Sequence, residues 1–188
     1  MHKLSRNPKR RLGALAALLA AAAVAVGSGA NFTAASANPS NTFSTGSLSM
    51  LNSKDNAAIL TASGMRPGDP ATTSTVDIKN TGTLSGTFSL AKSNISDSDA
   101  TNPLSQKLDV VISDCGLWSG ATPPSCAGAT QKYSGKISAM GTIALGTFAA
   151  SDQHRYQFSV SMPDGGAGAD NVYQGDNTSV QYDWNATS

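Results

Sequence analysis

Glutamate is missing from this 188-residue sequence, in which all 12 acidic residues are aspartate. Glu suits helix interiors and Asp suits turns and caps, so the bias points to an all-β, loop-rich domain. Histidine is nearly as scarce, present only as His2 and His154. A zinc peptidase needs about three protein ligands and a general base, commonly set out as H-E-x-x-H on a helix. With no Glu and two distant histidines, that motif is excluded. His154 has Asp152 beside it, but no G-x-S-x-G elbow supplies a nucleophile, so it reads as a histidine at the mouth of a strand. Charged residues make up 13% of the chain and aromatics 6%. Past the first eleven residues there is no basic patch, which argues against a nucleic-acid partner.

What is present starts with a basic head. Lys3, Arg6, Lys9, Arg10 and Arg11 precede Leu12–Val26, an apolar run of mostly Ala and Leu that is too short to span a bilayer comfortably. Small residues follow, completing the pattern of a secretory signal peptide over residues 1–30. Cleavage after Ser28-Gly29-Ala30 would start the chain at Asn31, and cleavage after Ala35-Ser36-Ala37 would start it at Asn38. The first abuts the apolar run and is preferred. Leu12-Gly13 does not continue a twin-arginine motif after Arg10-Arg11, so the general export route is expected. Five of the 13 Lys and Arg leave with the signal, and eight remain against 12 Asp, a net charge of about −4.

The remaining residues, about 158, suffice for one domain with a real core. Cys115 and Cys126 are the only cysteines. Outside the cell they are expected to form a disulfide that closes the loop Gly116–Ser125 and stabilises by roughly 2–3 kcal/mol. Two thiols without a nearby His offer too few ligands for a metal site.

The stretch Arg66–Leu90 reads as a loop that launches a β-hairpin. Val76 and Ile78 alternate with Thr75, Asp77 and Lys79, giving one apolar and one wet face. Asn80-Thr81-Gly82 is expected to turn the chain, with Gly82 at positive φ. Leu84, Phe88 and Leu90 would resume the apolar face. Upstream, residues 31–44 are polar, interrupted by Pro39, and read as a flexible segment and candidate donor strand. Residues 45–188 form the sandwich domain. Thr45–Asn52 is expected as a first strand with Leu48 and Met50 inward, and Ala57–Thr61 as a second around Ile59.

Downstream, a helical turn is expected near Pro103–Gln106, and Leu108–Ser113 is the most apolar and central strand. Weaker strands follow around Ile137 and Ile143. In His154–Met162, Tyr156, Phe158 and Val160 face in, while in Asn177–Asn185 Val180, Tyr182 and Trp184 share a face. About eight short strands separated by turn residues predict an antiparallel β-sandwich of jelly-roll type. Tyr182 and Trp184 read as core residues rather than a sugar platform. Asp164, Asp170 and Asp176 lack the D-x-[DN]-x-[DN]-G order of a calcium loop and read as turn caps. The N-x-S/T triplets at Asn31, Asn94, Asn177 and Asn185 are expected by chance in so Asn-, Ser- and Thr-rich a chain.

Three blocks in order carry a family resemblance: Asn41-Thr42-Phe43-Ser44-Thr45-Gly46-Ser47-Leu48; Arg66-Pro67-Gly68-Asp69 with Ile78-Lys79-Asn80-Thr81-Gly82-Thr83-Leu84; and Asn171-Val172-Tyr173-Gln174-Gly175 with Val180-Gln181-Tyr182-Asp183-Trp184-Asn185-Ala186-Thr187. Together they resemble the TasA/camelysin (CalY) family of secreted bacterial proteins. The resemblance implies a jelly-roll subunit of extracellular biofilm-matrix fibres, retained in the matrix or at the cell surface. It implies assembly by insertion of the mature N-terminal segment into the next subunit. In that segment Phe32 and Ala34 fit period-two insertion, and Phe43 is expected to anchor the point where it leaves its own domain. The partner is then another copy, joined by other matrix components, with no nucleic acid, no cofactor and no membrane after signal removal. This chain is shorter than the better-known members and adds the Cys115/Cys126 loop. Two alternatives are a camelysin-like metallo-endopeptidase, which the missing Glu opposes, and a monomeric surface binding module.

Overall fold

A period of two governs the strands of this protein, and it sorts their side chains between a shared interior and the solvent. The computed structural model describes residues 44–188. The expected signal peptide over 1–30 and the expected assembly residues Phe32, Ala34 and Phe43 lie outside the described residues.

Eight strands follow in order: β1 (Met50–Asn52), β2 (Thr72–Asn80), β3 (Gly86–Asp97), β4 (Asp109–Leu117), β5 (Thr130–Lys136), β6 (Ile143–Phe148), β7 (Gln153–Ser161) and β8 (Thr178–Thr187). One helical turn, α1 (Leu104–Lys107), precedes β4, and a turn of 3-10 helix, Asn171–Tyr173, precedes β8. The strands form two antiparallel sheets, a five-stranded one in the order β1-β2-β7-β4-β5 and a three-stranded one in the order β6-β3-β8. The domain is an antiparallel β-sandwich.

Its core is the inward row of each strand. Val76 and Ile78 of β2, Phe88 and Leu90 of β3, Val110 and Ile112 of β4, and Tyr156 and Phe158 of β7 are essentially inaccessible to water. Phe88 stacks on Phe148 with ring centroids 4.2 Å apart. Fully burying a side chain of this size is worth about 1.5–3 kcal/mol, so these rows carry most of the stabilisation. Tyr182 and Trp184 pack edge-on and tilted against Phe158 and Tyr156, as the alternation in β8 predicts.

The hairpin expected across Arg66–Leu90 is not formed. β2 and β3 lie in different sheets, and residues 81–85 carry the chain between them as an arch. Alternation fixes which face of a strand is buried but not which strand lies beside it, and so a hairpin and an arch look alike in sequence. Gly82 does not adopt positive φ. Its role is close approach: a Cβ there would collide with the Ser47 carbonyl oxygen. Leu84 is 42% exposed instead of buried. The first strand is shorter than expected, because Ser47–Ser49 bonds to the arch, with Thr81, Thr83 and Leu84 donating N–H groups to Ser49 and Ser47. Ala57–Thr61 forms no strand. It is part of a long loop that uses Ile59 to plug the open flank of the core.

Candidate functional site

Two places in the domain gather chemistry or open surface: a groove beside β8 and a buried polar cluster near the arch.

β8 is the outermost strand of the smaller sheet, bonded to β3 on one side. Among the described residues no backbone group bonds to its other side. Beside that free edge runs a groove. At the end holding α1 it widens into a cleft of about 890 Å³, floored by Leu104, Leu108, Ile137, Phe158 and Met162, with Tyr182 in one wall. Burial pushes the Tyr182 hydroxyl up to about 12, which keeps it neutral there. Towards the arch a second, more polar hollow of about 630 Å³ lies between β1 and β8, reaching from Asn52 and Lys54 to Trp184. Ile59, Val180 and Tyr182 belong to both walls. The groove exists because β1 closes only part of the flank and the loop after it covers the rest with few side chains. β8 itself carries no Lys or Pro, and the bulge in its pairing with β3 lies on the β3 side, between Ser93 and Ser96. Its only charge is Asp183, whose carboxylate accepts a hydrogen bond from Ser93 on β3.

The polar cluster sits at the opposite end of the sheet. On β4 the inward row Val110, Ile112 continues to Asp114, a carboxylate only 9% exposed. Two bulges converge on it. Cys115 is an extra residue of β4 against β7, and Lys132 is an extra residue of β5 against β4, the kind of insertion that re-aims side chains. His154 Nδ1 lies 3.1 Å from both Asp114 oxygens, Lys132 Nζ lies 3.5 Å from one of them, and the Gly116 N–H donates at 2.9 Å. Burial pushes the Asp114 carboxyl up, but the His154 hydrogen bond, the Gly116 N–H and the nearby charges outweigh it and hold the group below the usual range. The His154 ring stacks on Phe148 at 4.4 Å.

Among the described residues the side-chain hydrogen bonds of His154 run to Asp114 alone. The arrangement binds β4, β5 and β7 together and aligns no hydroxyl or thiol nucleophile. Asp152, its neighbour in sequence, instead accepts a hydrogen bond from the Ala149 N–H at 2.7 Å. Sequence reasoning missed the Asp114 partnership. Its one visible signal was a carboxylate in the inward phase of the most apolar strand.

Cys115 and Cys126 are bonded to each other, with Cα atoms 4.6 Å apart. Asp164 and Asp170 cap the turn at Gly165-Gly166, and Asp170 also pairs with Lys107. Asp176 accepts from Ser98. Among the described residues no group of three His, Cys or Asp side chains is placed to share a metal ion.

No protein-family model matches the chain, and no curated protein matches its sequence.

Proposed function

We propose that this chain is a secreted structural protein, a subunit of extracellular biofilm-matrix fibres that joins copies head to tail by donor-strand β-augmentation. The observation that carries this reading is the free edge of β8 beside an apolar groove. An unpaired edge offers a row of N–H and C=O groups, and an extended segment laid along it gains main-chain hydrogen bonds together with pockets for alternate side chains. The chain's own supply of such a segment is residues 31–44, which are uncharged. Fully extended, those 14 residues span about 46 Å, against about 33 Å for the ten residues of β8. The jelly-roll assignment and the location in the matrix or at the cell surface belong to the same proposal, as does co-assembly with other matrix components. The work required of the protein is mechanical, so it needs neither a cofactor nor a catalytic group.

Electron microscopy of the purified, signal-free protein tests the reading. Filaments are expected from the intact mature chain and not from one lacking residues 31–41, which retains a cooperative thermal transition. Phe32→Asp is expected to act like the deletion, because it places a charge in an apolar pocket. Filaments of unchanged abundance and width from the truncated chain rule the mechanism out.

A further inference from the structure

We infer that the inserting segment runs antiparallel to β8 and enters the next subunit by its C-terminal end, with Phe43 seated in the apolar cleft beside α1. This rests on the donor-strand reading and adds its direction.

The argument starts from where the segment leaves its own domain. The Ser47 carbonyl accepts hydrogen bonds from the Thr83 and Leu84 N–H groups at 2.8 and 3.0 Å. The chain before Ser47 therefore departs from the arch end of the sandwich, where β2 stops and β3 begins. The apolar cleft is at the other end, among the start of β4, the end of β7 and the start of β8. Exit and cleft are separated by the length of the domain.

Only two directions of insertion are available. If the segment ran parallel to β8, its Ser44 end would lie at the acceptor's arch end. Two subunits would then meet arch to arch, and each could donate to the other, a reciprocal contact that closes as a pair. If it runs antiparallel, the arch end of one subunit abuts the cleft end of the next. That contact is heterologous and leaves a free groove and a free segment at the two ends, so it propagates. Antiparallel pairing is also slightly more stable per residue, and every strand pair in the domain is antiparallel.

The side chains agree with this direction. Phe43 is next to Ser44, so it is the first large residue to reach the acceptor, and the cleft it meets has an apolar floor and room for an aromatic ring. Eleven residues, 43 back to 33, then match the ten of β8 once one of them is bulged. Phe32 and Ala34 are out of phase with Phe43 in a regular strand. One bulged residue at Pro39, which has no N–H to give, restores the phase and turns all three towards the groove.

The test uses the full mature chain with a benzoylphenylalanine photo-crosslinker replacing Phe43 or Phe32, and filaments grown from mixed heavy- and light-isotope protein. The expected result is an inter-copy cross-link from position 43 to Leu104, Ile137 or Met162, and from position 32 to the Met50 or Trp184 region. The reversed pattern overturns the direction while leaving donor-strand assembly intact. If neither probe links to either region of another copy, the donor-strand reading falls and the direction with it.

Discussion

The carboxamide of Asn80 donates a hydrogen bond to the carbonyl of Phe148, 68 residues later in the chain, at 3.2 Å. It also donates to the carbonyls of Leu84 and Ala149 at 2.8 and 3.1 Å, and its own oxygen accepts from the Gly82 N–H at 2.9 Å. The backbone groups of the same residue bond to Asp152 and Ser151. One fully buried polar side chain thus fastens the arch between the sheets to the turn between β6 and β7.

Replacing Asn80 with Leu leaves these buried groups without partners. Each unsatisfied group costs about 1–3 kcal/mol, so a loss on the order of 3 kcal/mol or more is expected, read as a lower urea midpoint. Asn80→Asp should be at least as damaging, since a carboxylate then faces three carbonyl oxygens. A loss under about 1 kcal/mol for both variants would show that the arch is held by something else.

The cluster around Asp114 makes stability depend on acid. Its folded-state carboxyl is held below the ordinary value, so the unfolded chain binds the proton more readily. The resulting stabilisation is complete above the ordinary carboxylate range, near pH 4, and is lost as pH falls through the lower folded value. Denaturant titrations at pH 6 and at pH 3 should show a drop in stability that is smaller in Asp114→Asn. An identical pH response in the two proteins would remove Asp114 from the account.

Reduction of the Cys115–Cys126 bond should change the mass of the intact protein by two protons. In the chain-entropy model a loop of this size is worth roughly 2–3 kcal/mol. The Cys115→Ser, Cys126→Ser double variant should lose about that much and keep the sandwich, because the inward rows of β4 and β7 do not include either cysteine. Two free thiols in freshly secreted protein would contradict the pairing.

Peptidase activity is expected to be absent. The side-chain hydrogen bonds of His154 are committed to Asp114, and the chain has no Glu to serve as a general base. Casein should remain intact with the pure protein across added divalent metals. Cleavage abolished by His154→Ala, and untouched by surface substitutions, would overturn this expectation.

The inward residues of β7 and β8 were legible in the sequence, because a period of two needs no knowledge of partners. Cys115 and Cys126 were legible because no other pairing exists. The arch was not, since Val76–Leu90 has the same alternation in either topology and the decisive contacts of Asn80 lie almost 70 residues away. Ile59 was read as the centre of a strand because its loop hides one apolar residue among small ones. The groove was invisible for a related reason: sequence marks strands, and an edge is defined by a neighbour that is lacking. Lys132 joined Asp114 only through a bulge, which no local pattern announced.

The arch has a kinetic consequence. Because β2 and β3 are parted between sheets, only two of the six strand pairs, β1–β2 and β4–β5, join sequence neighbours. β7 lies between β2 and β4 in one sheet, and β3 between β6 and β8 in the other. The larger sheet therefore cannot close until Gln153–Ser161 has been made, nor the smaller until Thr178–Thr187 has followed. Such distant pairings place folding in the millisecond-to-second range. Pairing of the larger sheet thus becomes possible one strand before that of the smaller, and both wait on residues 153–187.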